Sequence, residues 1–358
     1  MADKNFLMLI INPGSTSTKF AVFENDKSLF EKTIRHPLED FKDCPGVKDQ
    51  KSVRMRYVLE ALKENGFDPA KLDAVVGRGG IVKPLASGTY AVNDALLKDL
   101  ESGKAAAHAS CLGGLMANEV AKQYNIPSFI VDPVVVDEFD PLARMTGIPE
   151  VKRTSVFHAL NAKAVARVCA DEIGMRYEDA RFIVAHFGGG ISISAHRYGQ
   201  VVDSTHGVHG DGPMTPERCG SVPVQGVLDL LAAGKYTPEQ ITGLCTKTGG
   251  IKAYLGLNDM RDVEARIHEG DANAKLVYEA MAYQCCKDIG ALAAVLEGRV
   301  DGIIMTGGLA YSGYFIGMIK QRVDSFGPIY VYPGEFEMEA LAAGGLRVLR
   351  GEQKASTY

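Results

Sequence analysis

The chain has 358 residues, of which 46% are hydrophobic and 23% are charged, a balance typical of folded proteins and a length that favours two domains. Its net charge of −5 and pI near 5.9 argue against nucleic acid or an anionic membrane as the main partner. The seven scattered cysteines match neither a disulfide framework nor a zinc site, no apolar run is long enough to span a bilayer, and no secretory leader is recognisable. We therefore expect a cytoplasmic protein.

The first predicted elements are three strands within residues 6–36. An apolar strand over 6–11 breaks at Asn12-Pro13-Gly14, a strand of alternating polarity follows, and a third strand comes after a turn at residues 25–27. Gly14 and the small hydroxyl residues after it let backbone N–H and side-chain OH groups converge on one anion, to which Lys19 adds a positive charge. We expect that anion to be phosphate; an ordinary hairpin with a polar turn is the alternative.

Beyond this stretch, periodicity and capping residues predict an alternation of helices and strands. Residues 133–153 carry three prolines and no steady period, so we place the domain junction there. The expected helices cover 52–66, 93–101, 110–124, 154–174, 222–233, 238–245, 260–269, 272–297, 311–326 and 335–349, and the expected strands cover 73–78, 128–132, 300–305 and 329–332.

Residues 181–207 repeat the plan of residues 6–36, with an apolar strand, a glycine turn, an alternating strand, a tight turn and a third strand. In this repeat Asn12 corresponds to His186, Gly14 to Gly188, and Ser15-Thr16 to Gly189-Gly190. Each half then reads as a mixed sheet with helices on both faces. Two such hairpins predict two domains of like topology that hold a polyphosphate between them, whereas a purely structural duplication would give the same repeat.

Phosphoryl transfer depends on cations around the moving phosphoryl group, so charged residues at strand ends and glycine turns are candidates. Arg78 ends a strand before two glycines; a surface ion pair is the alternative interpretation. Asp132 ends a buried strand, where it could orient a metal-bound water or cap a turn. Arg218 lies in a loop after the second hairpin, a place where arginines usually face solvent.

Of the eight histidines, two are further candidates for catalysis and two are expected at the surface. His158 falls in the first turn of a predicted helix and His108 just before another, although either could be an ordinary core or surface histidine. His36 and His268 are expected to be solvated. The HExxH, P-loop and dinucleotide-binding motifs are not found in the sequence, so a zinc protease, a P-loop enzyme or a Rossmann dehydrogenase is not supported.

With these residues in view, the chain resembles the acetate/butyrate kinase family of the actin–Hsp70–sugar-kinase superfamily, and most closely its butyrate kinase branch. The resemblance implies two duplicated ribonuclease H-like (actin/Hsp70/sugar-kinase type) α/β domains, residues 1–150 with 338–358 and residues 151–337. The motifs that carry it are INPGSTSTK (11–19), GRGG (77–80), AHFGGGIS (185–192), DGPMTPERCG (211–220), NDMRDV (258–263) and TGGLAYS (306–312).

The resemblance also implies roles for individual residues. Arg78 and Arg218 would clamp the carboxylate and the transferring phosphoryl group, His158 would stabilise charge in the transition state, His108 would support the site, and Asp132 would align metal and acceptor. Asn12 would help hold Mg²⁺ together with Glu337 or Glu339, between which the sequence does not decide. Nucleotide contacts would come from Gly14, Ser15, Ser17, Lys19, His186, Gly188, Gly189, Gly190, Asp259, Met260, Arg261, Gly307 and Gly308.

The activity implied is reversible in-line transfer of the ATP γ-phosphoryl group to a short-chain fatty acid, giving an acyl phosphate. Butyrate is the expected acid, with branched-chain, propionate or acetate kinase as alternatives. A sugar or glycerol kinase and a nucleotide-switched binding protein like actin or Hsp70 are the rivals outside that group. ATP and Mg²⁺ are the implied cofactors, the acyl phosphate is the implied product, and a homodimer or higher homo-oligomer is the implied assembly.

Overall fold

The computed structural model describes residues 4–102 and 108–358. The chain divides into two compact units, Met1–Val136 with Phe336–Tyr358, and Asp137–Glu335. The domain limits at residues 150 and 337 remain predictions. No helix among the described residues is long and apolar enough to cross a membrane.

The elements of the described residues are as follows. The strands are β1 Leu7–Pro13, β2 Ser17–Glu24, β3 Lys27–Arg35, β4 Ala74–Arg78, β5 Thr89–Ala91, β6 Ser128–Val131, β7 Arg181–Phe187, β8 Ile191–Arg197, β9 Gln200–Ser204, β10 Gly302–Gly307 and β11 Ile329–Pro333. The helices are α1 Lys51–Glu64, α2 Asp94–Leu100, α3 Cys111–Tyr124, α4 Ala159–Glu172, α5 Val224–Ala232, α6 Pro238–Gly243, α7 Gly250–Leu255, α8 Met260–His268, α9 Ala272–Val295, α10 Gly313–Val323 and α11 Glu337–Leu349.

The first unit is a mixed sheet in the order β3-β2-β1-β4-β6-β5. β1 pairs antiparallel with β2 and parallel with β4, which in turn pairs parallel with β6. Because successive side chains point to opposite faces of a strand, Leu9 and Ile11 join a core with α1 and α3, whereas Met8 faces α11 at Gly345. Burial of both faces explains the continuous apolar run of β1.

The second unit has the order β11-β10-β7-β8-β9. Ile183, Ala185 and Phe187 of β7 pack with α9 and α10 in one core, and α4 packs against β7 and β10. The three-strand start and the parallel continuation therefore occur twice, as the repeat predicts. In β1 and β4 Ile11 pairs with Gly77, and in β7 and β10 Ala185 pairs with Met305.

Some predicted boundaries are wrong. The helix expected over 154–174 begins at Ala159, because His158 has non-helical dihedrals and its backbone N–H donates to Ser192 Oγ at 3.3 Å. The strand expected over 300–305 is shifted to β10, so it includes Gly307. β5 and α7 were not predicted; both are short, with three and six residues, and too brief to show a period.

Candidate active site

Asn12, Arg78 and Glu337 form one hydrogen-bonded cluster in the first unit. The parallel pairing of β1 and β4 brings their carboxyl ends side by side, and α11 begins beside them. Nη1 of Arg78 donates to Glu337 Oε2 at 2.9 Å and to Asn12 Oδ1 at 3.2 Å, and Nδ2 of Asn12 donates to Glu337 Oε2 at 2.6 Å. The Glu337 side chain is 8% exposed and that of Arg78 24%, so this is not a surface ion pair.

The cluster distinguishes the two glutamates that the sequence left open. Glu337 is buried in the cluster, whereas Glu339, two residues later in the same helix, is exposed. Carboxylate and amide oxygens are the ligands that Mg²⁺ prefers, and Mg²⁺ keeps several waters and phosphate oxygens besides one or two carboxylates. Asn12 and Glu337 therefore fit the protein's share of such a site.

His108 and Asp132 lie at other positions in the same unit. Burial and the nearby charge of Arg78 lower the pKa of His108, whose Nδ1 lies 2.7 Å from Ser110 Oγ. Asp132 is 2% exposed, has φ +36°, and accepts the Gly88 N–H at 2.7 Å. A positive φ is strained for an aspartate, so the packing around Asp132 and its hydrogen bond to Gly88 must stabilise this backbone conformation.

The turn after β1 differs from expectation in the position of Lys19. The ammonium of Lys19 lies 2.9 Å from the carboxylate of Glu31 on β3, so its charge is paired with an acidic residue of the sheet. Ser15 is exposed and Ser17 half-buried, and the N–H of Gly14 donates to Ser17 O at 2.8 Å. The hydrogen bond between Gly14 and Ser17 closes the turn, in which Ser15 and Thr16 are exposed to solvent.

In the second unit, the rings of His158 and His186 stack with centroids 3.9 Å apart and planes 7° from parallel. Ser192 Oγ lies 2.8 Å from Nδ1 of His158, and Asn161 Nδ2 lies 2.9 Å from Nδ1 of His186 and donates to Thr306 Oγ1 at 3.2 Å. Each imidazole is thus held in orientation from its Nδ1 side. The structure brings the two sequence candidates together, in a stack that their spacing did not predict.

Arg218 reaches back into the second glycine turn. Its Nη1 donates to the carbonyl oxygen of Gly207, and a Cβ added at Gly190 would collide with the same guanidinium. Its Nε is buried with no hydrogen-bond partner among the described residues, and burial lowers the pKa of its guanidinium. Arg218 is therefore not an ordinary solvent-facing loop residue, because an unpaired buried donor costs free energy unless a ligand satisfies it.

A cavity of about 750 Å³ opens beside this turn, a size typical of ligand pockets. Six residues predicted to contact nucleotide line it, and Gly190 and Gly307 lie beside it in the chain. Gly307 has φ +92° and packs on the backbone of Phe187, so only glycine fits there. The lining residues are Gly188, Gly189, Pro216, Asn258, Asp259, Met260, Arg261, Glu264, Gly308, Leu309, Tyr311 and Ser312.

Glu264 also lines this cavity, although no sequence motif singled it out. The hydroxyls of Tyr278 and Ser312 both donate to Glu264 Oε1 at 2.5 Å, which fixes the carboxylate at the cavity wall. Nothing in the helical pattern of α8 distinguishes Glu264 from a solvated residue. The Arg261 guanidinium holds the pKa of Asp259 at about 2, and both lie on the exposed rim.

With this geometry established, the chain can be compared with known proteins. Residues 149–324 match the acetokinase family, a range that lies within the second unit. The crystal structure of Porphyromonas gingivalis acetate kinase is similar with a TM-score of 0.78 at 20% identity, over 96% of this chain and 100% of that one. A propionate kinase from Francisella tularensis is similar with a TM-score of 0.74 at 19% identity, over 95% and 98% of the two chains.

A ROK family protein from Streptococcus pneumoniae, solved with sucrose, gives a TM-score of 0.54 at 14% identity over 97% of this chain and 100% of that one. These likenesses confirm the predicted fold, two mixed sheets flanked by helices in the actin/Hsp70/sugar-kinase arrangement.

Proposed function

We propose that this protein, whose residues 149–324 match the acetokinase family, is a carboxylate kinase that transfers the γ-phosphoryl group of ATP to a short-chain fatty acid, with butyrate as the preferred acid. The reaction gives an acyl phosphate and ADP and runs in both directions. The observation that carries the proposal is the cavity of the second unit, which lies at the glycine turn and is lined by six of the residues assigned to the nucleotide.

The cavity suits a nucleotide for two reasons. Gly188, Gly189 and Gly308 leave backbone at its wall without side chains, which lets phosphate oxygens approach N–H groups closely. Leu309 and Met260 supply apolar surface for a base, and Glu264 supplies a fixed acceptor for a hydroxyl or amino hydrogen. A pocket of about this volume is in the usual range for small-molecule sites.

Arginine rather than lysine at positions 78 and 218 favours an anionic acceptor. A guanidinium presents a planar fork of N–H donors that matches the paired oxygens of carboxylate and phosphate. Arg218 retains a buried Nε donor without a partner among the described residues, and the hydrogen bonds of Arg78 to Asn12 and Glu337 both use its Nη1. We assign both to the acid and the transferring phosphoryl group.

Mg²⁺, when bound, neutralises the charge of the β- and γ-phosphates. Glu337 and Asn12 are the residues we assign to it. His158, held at Nδ1 by Ser192, is assigned to donate from its ring to a phosphoryl oxygen as charge develops. Asp132 is assigned to align the acceptor, and its strained turn, fixed by Gly88, would keep the carboxylate in one orientation.

Acetate and propionate remain alternatives to butyrate, because the solved structures with this fold include kinases of both acids. A sugar kinase would require an aspartate facing a hydroxyl and polar residues for the other sugar hydroxyls. A nucleotide-switched binding protein would bind ATP without acid-dependent release of ADP. We also expect a homo-oligomer in the cytoplasm, which light scattering of the purified protein and fractionation of cells can test.

The test is acid-dependent trapping of acyl phosphate by hydroxylamine. The protein is incubated with ATP, Mg²⁺ and acetate, propionate, butyrate, isobutyrate or valerate in turn, with glucose and glycerol as neutral acceptors. We expect hydroxamate with the acids, most rapidly with butyrate. ADP release with glucose or glycerol alone would support the sugar-kinase alternative, and a higher kcat/KM for acetate would overturn the choice of butyrate. Acids that differ by one methylene group should differ in kcat/KM by roughly 10- to 200-fold.

A further inference from the structure

A buried arginine lies beneath the turn at residues 14–18 of the first unit. Arg54 in α1 is 0% exposed. Its Nη1 donates to the carbonyl oxygens of Gly14 and Ser17 at 2.9 and 2.7 Å, and its Nη2 donates to that of Ser15 at 2.8 Å. Nε and Nη2 also donate to Gln50 Oε1 at 3.2 and 2.9 Å. Every oxygen that Arg54 contacts is therefore neutral.

This burial is costly without a carboxylate, and none pairs with Arg54 among the described residues. The cost is offset by the hydrogen bonds to the turn, so the guanidinium and the turn hold each other in place. A buried lysine could not reach the same set of carbonyl oxygens, because its three donors radiate from one nitrogen instead of forming a planar fork. Only an arginine at position 54 can therefore make this set of hydrogen bonds.

The contacts also determine where the turn's N–H groups point. In a trans peptide the C=O and N–H bonds are antiparallel. Because the carbonyls of Gly14 and Ser15 face Arg54, the N–H groups of Ser15 and Thr16 face the other way. Those two N–H groups donate to no described residue, and both residues are exposed. Adjacent N–H groups of this kind form an anion-binding concavity.

The remaining contacts of Arg54 support the same orientation. The hydroxyl of Thr18 lies 3.1 Å from Nη1 of Arg54 and 2.9 Å from Nε2 of His36. The ring of Phe41 lies 5.0 Å from the guanidinium carbon. Lys19, the cation that the sequence placed at this turn, pairs with Glu31 instead. Arg54 is the cation that the structure places there.

We propose that Arg54 is a positioning residue that shapes the turn at residues 14–18 into a phosphate-binding concavity and sets a fixed positive charge behind it. The inference rests on the proposed function, since it assigns Arg54 to the phosphate side of that site. Arg54 lies under the turn and acts through Gly14, Ser15 and Ser17, not by contact with the substrate.

The first experiment compares Arg54→Lys with Arg56→Lys, which changes an exposed arginine two residues along the same helix. We expect Arg54→Lys to lower kcat for acyl hydroxamate formation at least about tenfold, the effect of losing one charged hydrogen bond, and to raise the KM for ATP, because the turn would bind the phosphates less well. Arg56→Lys should match wild type. A purely structural role would lower the melting temperature of Arg54→Lys and leave kcat per folded molecule unchanged, which would overturn the proposal.

The second experiment does not depend on turnover. Calorimetric titration with tripolyphosphate should show weaker binding to Arg54→Lys than to wild type and Arg56→Lys. In Arg54→Ala, millimolar guanidinium chloride should restore part of the tripolyphosphate affinity, while Arg56→Ala should not respond. If wild type makes no hydroxamate, the proposed carboxylate kinase activity fails and this titration alone decides the role of Arg54. Equal tripolyphosphate affinity in wild type and Arg54→Lys would overturn the inference.

Discussion

The guanidinium of Arg78 lies 2.9 Å from the carboxylate of Glu337, although 259 positions separate the two residues in the chain. The contact joins the end of a central strand to the first turn of the last helix, with Asn12 as the third member. A carboxylate so placed can orient Arg78 and, in the proposed reaction, hold the metal ion.

Glu337→Gln should abolish most of the activity while preserving the shape of the side chain. The substitution leaves Arg78 without its charged partner and replaces the proposed carboxylate ligand of the metal by a neutral amide, so we expect hydroxamate formation to fall by about a hundredfold or more. Glu339→Gln, which changes an exposed glutamate in the same helix, should behave like wild type. Equal losses in the two variants would show that the cluster has no special role.

Gly190→Ala should displace the guanidinium of Arg218. We expect kcat to fall about a hundredfold, the usual effect of losing one group that stabilises charge in the transition state. The added methyl group would occupy the position of the guanidinium, whereas a Cβ at Gly189 meets nothing within 4 Å. Gly189→Ala should therefore cost much less. The measurement is kcat for hydroxamate formation with butyrate in both variants. A Gly190→Ala enzyme that is faster than Gly189→Ala would contradict the placement of Arg218.

Gly308→Val should narrow the cavity of the second unit and raise the KM for ATP about tenfold. A Cβ at Gly308 meets nothing within 4 Å, so the backbone should accept valine and the added bulk should enter the cavity. A loss of roughly 1.4 kcal/mol of nucleotide binding corresponds to that factor. Gly313→Ala, also unobstructed but outside the cavity lining, is the control. An unchanged KM for ATP in Gly308→Val would place the nucleotide elsewhere.

Acid should destabilise the fold through its buried histidines. Burial, followed by the charge of Arg54, lowers the pKa of His36 from 6.5 to about 4. Unfolded His36 binds a proton below pH 6.5 and the folded residue does not until about pH 4, so the free energy of unfolding falls as the pH drops between those values. His206, whose pKa burial also lowers to about 4, acts in the same direction.

His36→Gln should weaken this pH dependence. The measurement is the urea midpoint at about pH 7 and about pH 5 in wild type and variant, since stability depends on proton uptake between those values. His268→Gln, at an exposed histidine, is the control and should leave the pH dependence as in wild type. A His36→Gln protein with the wild-type difference between the two midpoints would show that His36 titrates normally.

The repeat could be read from the sequence because each half starts with the same local pattern of strand, glycine turn and strand. β1, β2 and β3 are separated by only a few residues, and their pairing is determined by turns that leave clear signals. The same reasoning located Gly188 and Gly189, which line one cavity with Gly308, a residue that only the family resemblance had assigned to the nucleotide. For these elements, the pattern of strands and turns within a short stretch of sequence was sufficient.

Contacts between residues distant in sequence could not be predicted in this way. His36 was expected to be solvated, and this was wrong: it is 5% exposed and lies against Thr18 and Tyr57. The helical pattern of α1 does not distinguish Arg54 from a solvated polar residue, because it cannot show that a turn 40 positions earlier accepts the hydrogen bonds of Arg54. The choice between Glu337 and Glu339 likewise required the position of β4.

The most direct test of the carboxylate kinase proposal is phosphorus NMR of the protein with ATP, Mg²⁺ and butyrate, in the absence of hydroxylamine. The account predicts that butyryl phosphate and ADP appear in equal amounts as ATP disappears, and that butyryl phosphate and ADP alone regenerate ATP. Inorganic phosphate formed at the same rate with and without any short-chain acid, and no acyl phosphate signal, would contradict it.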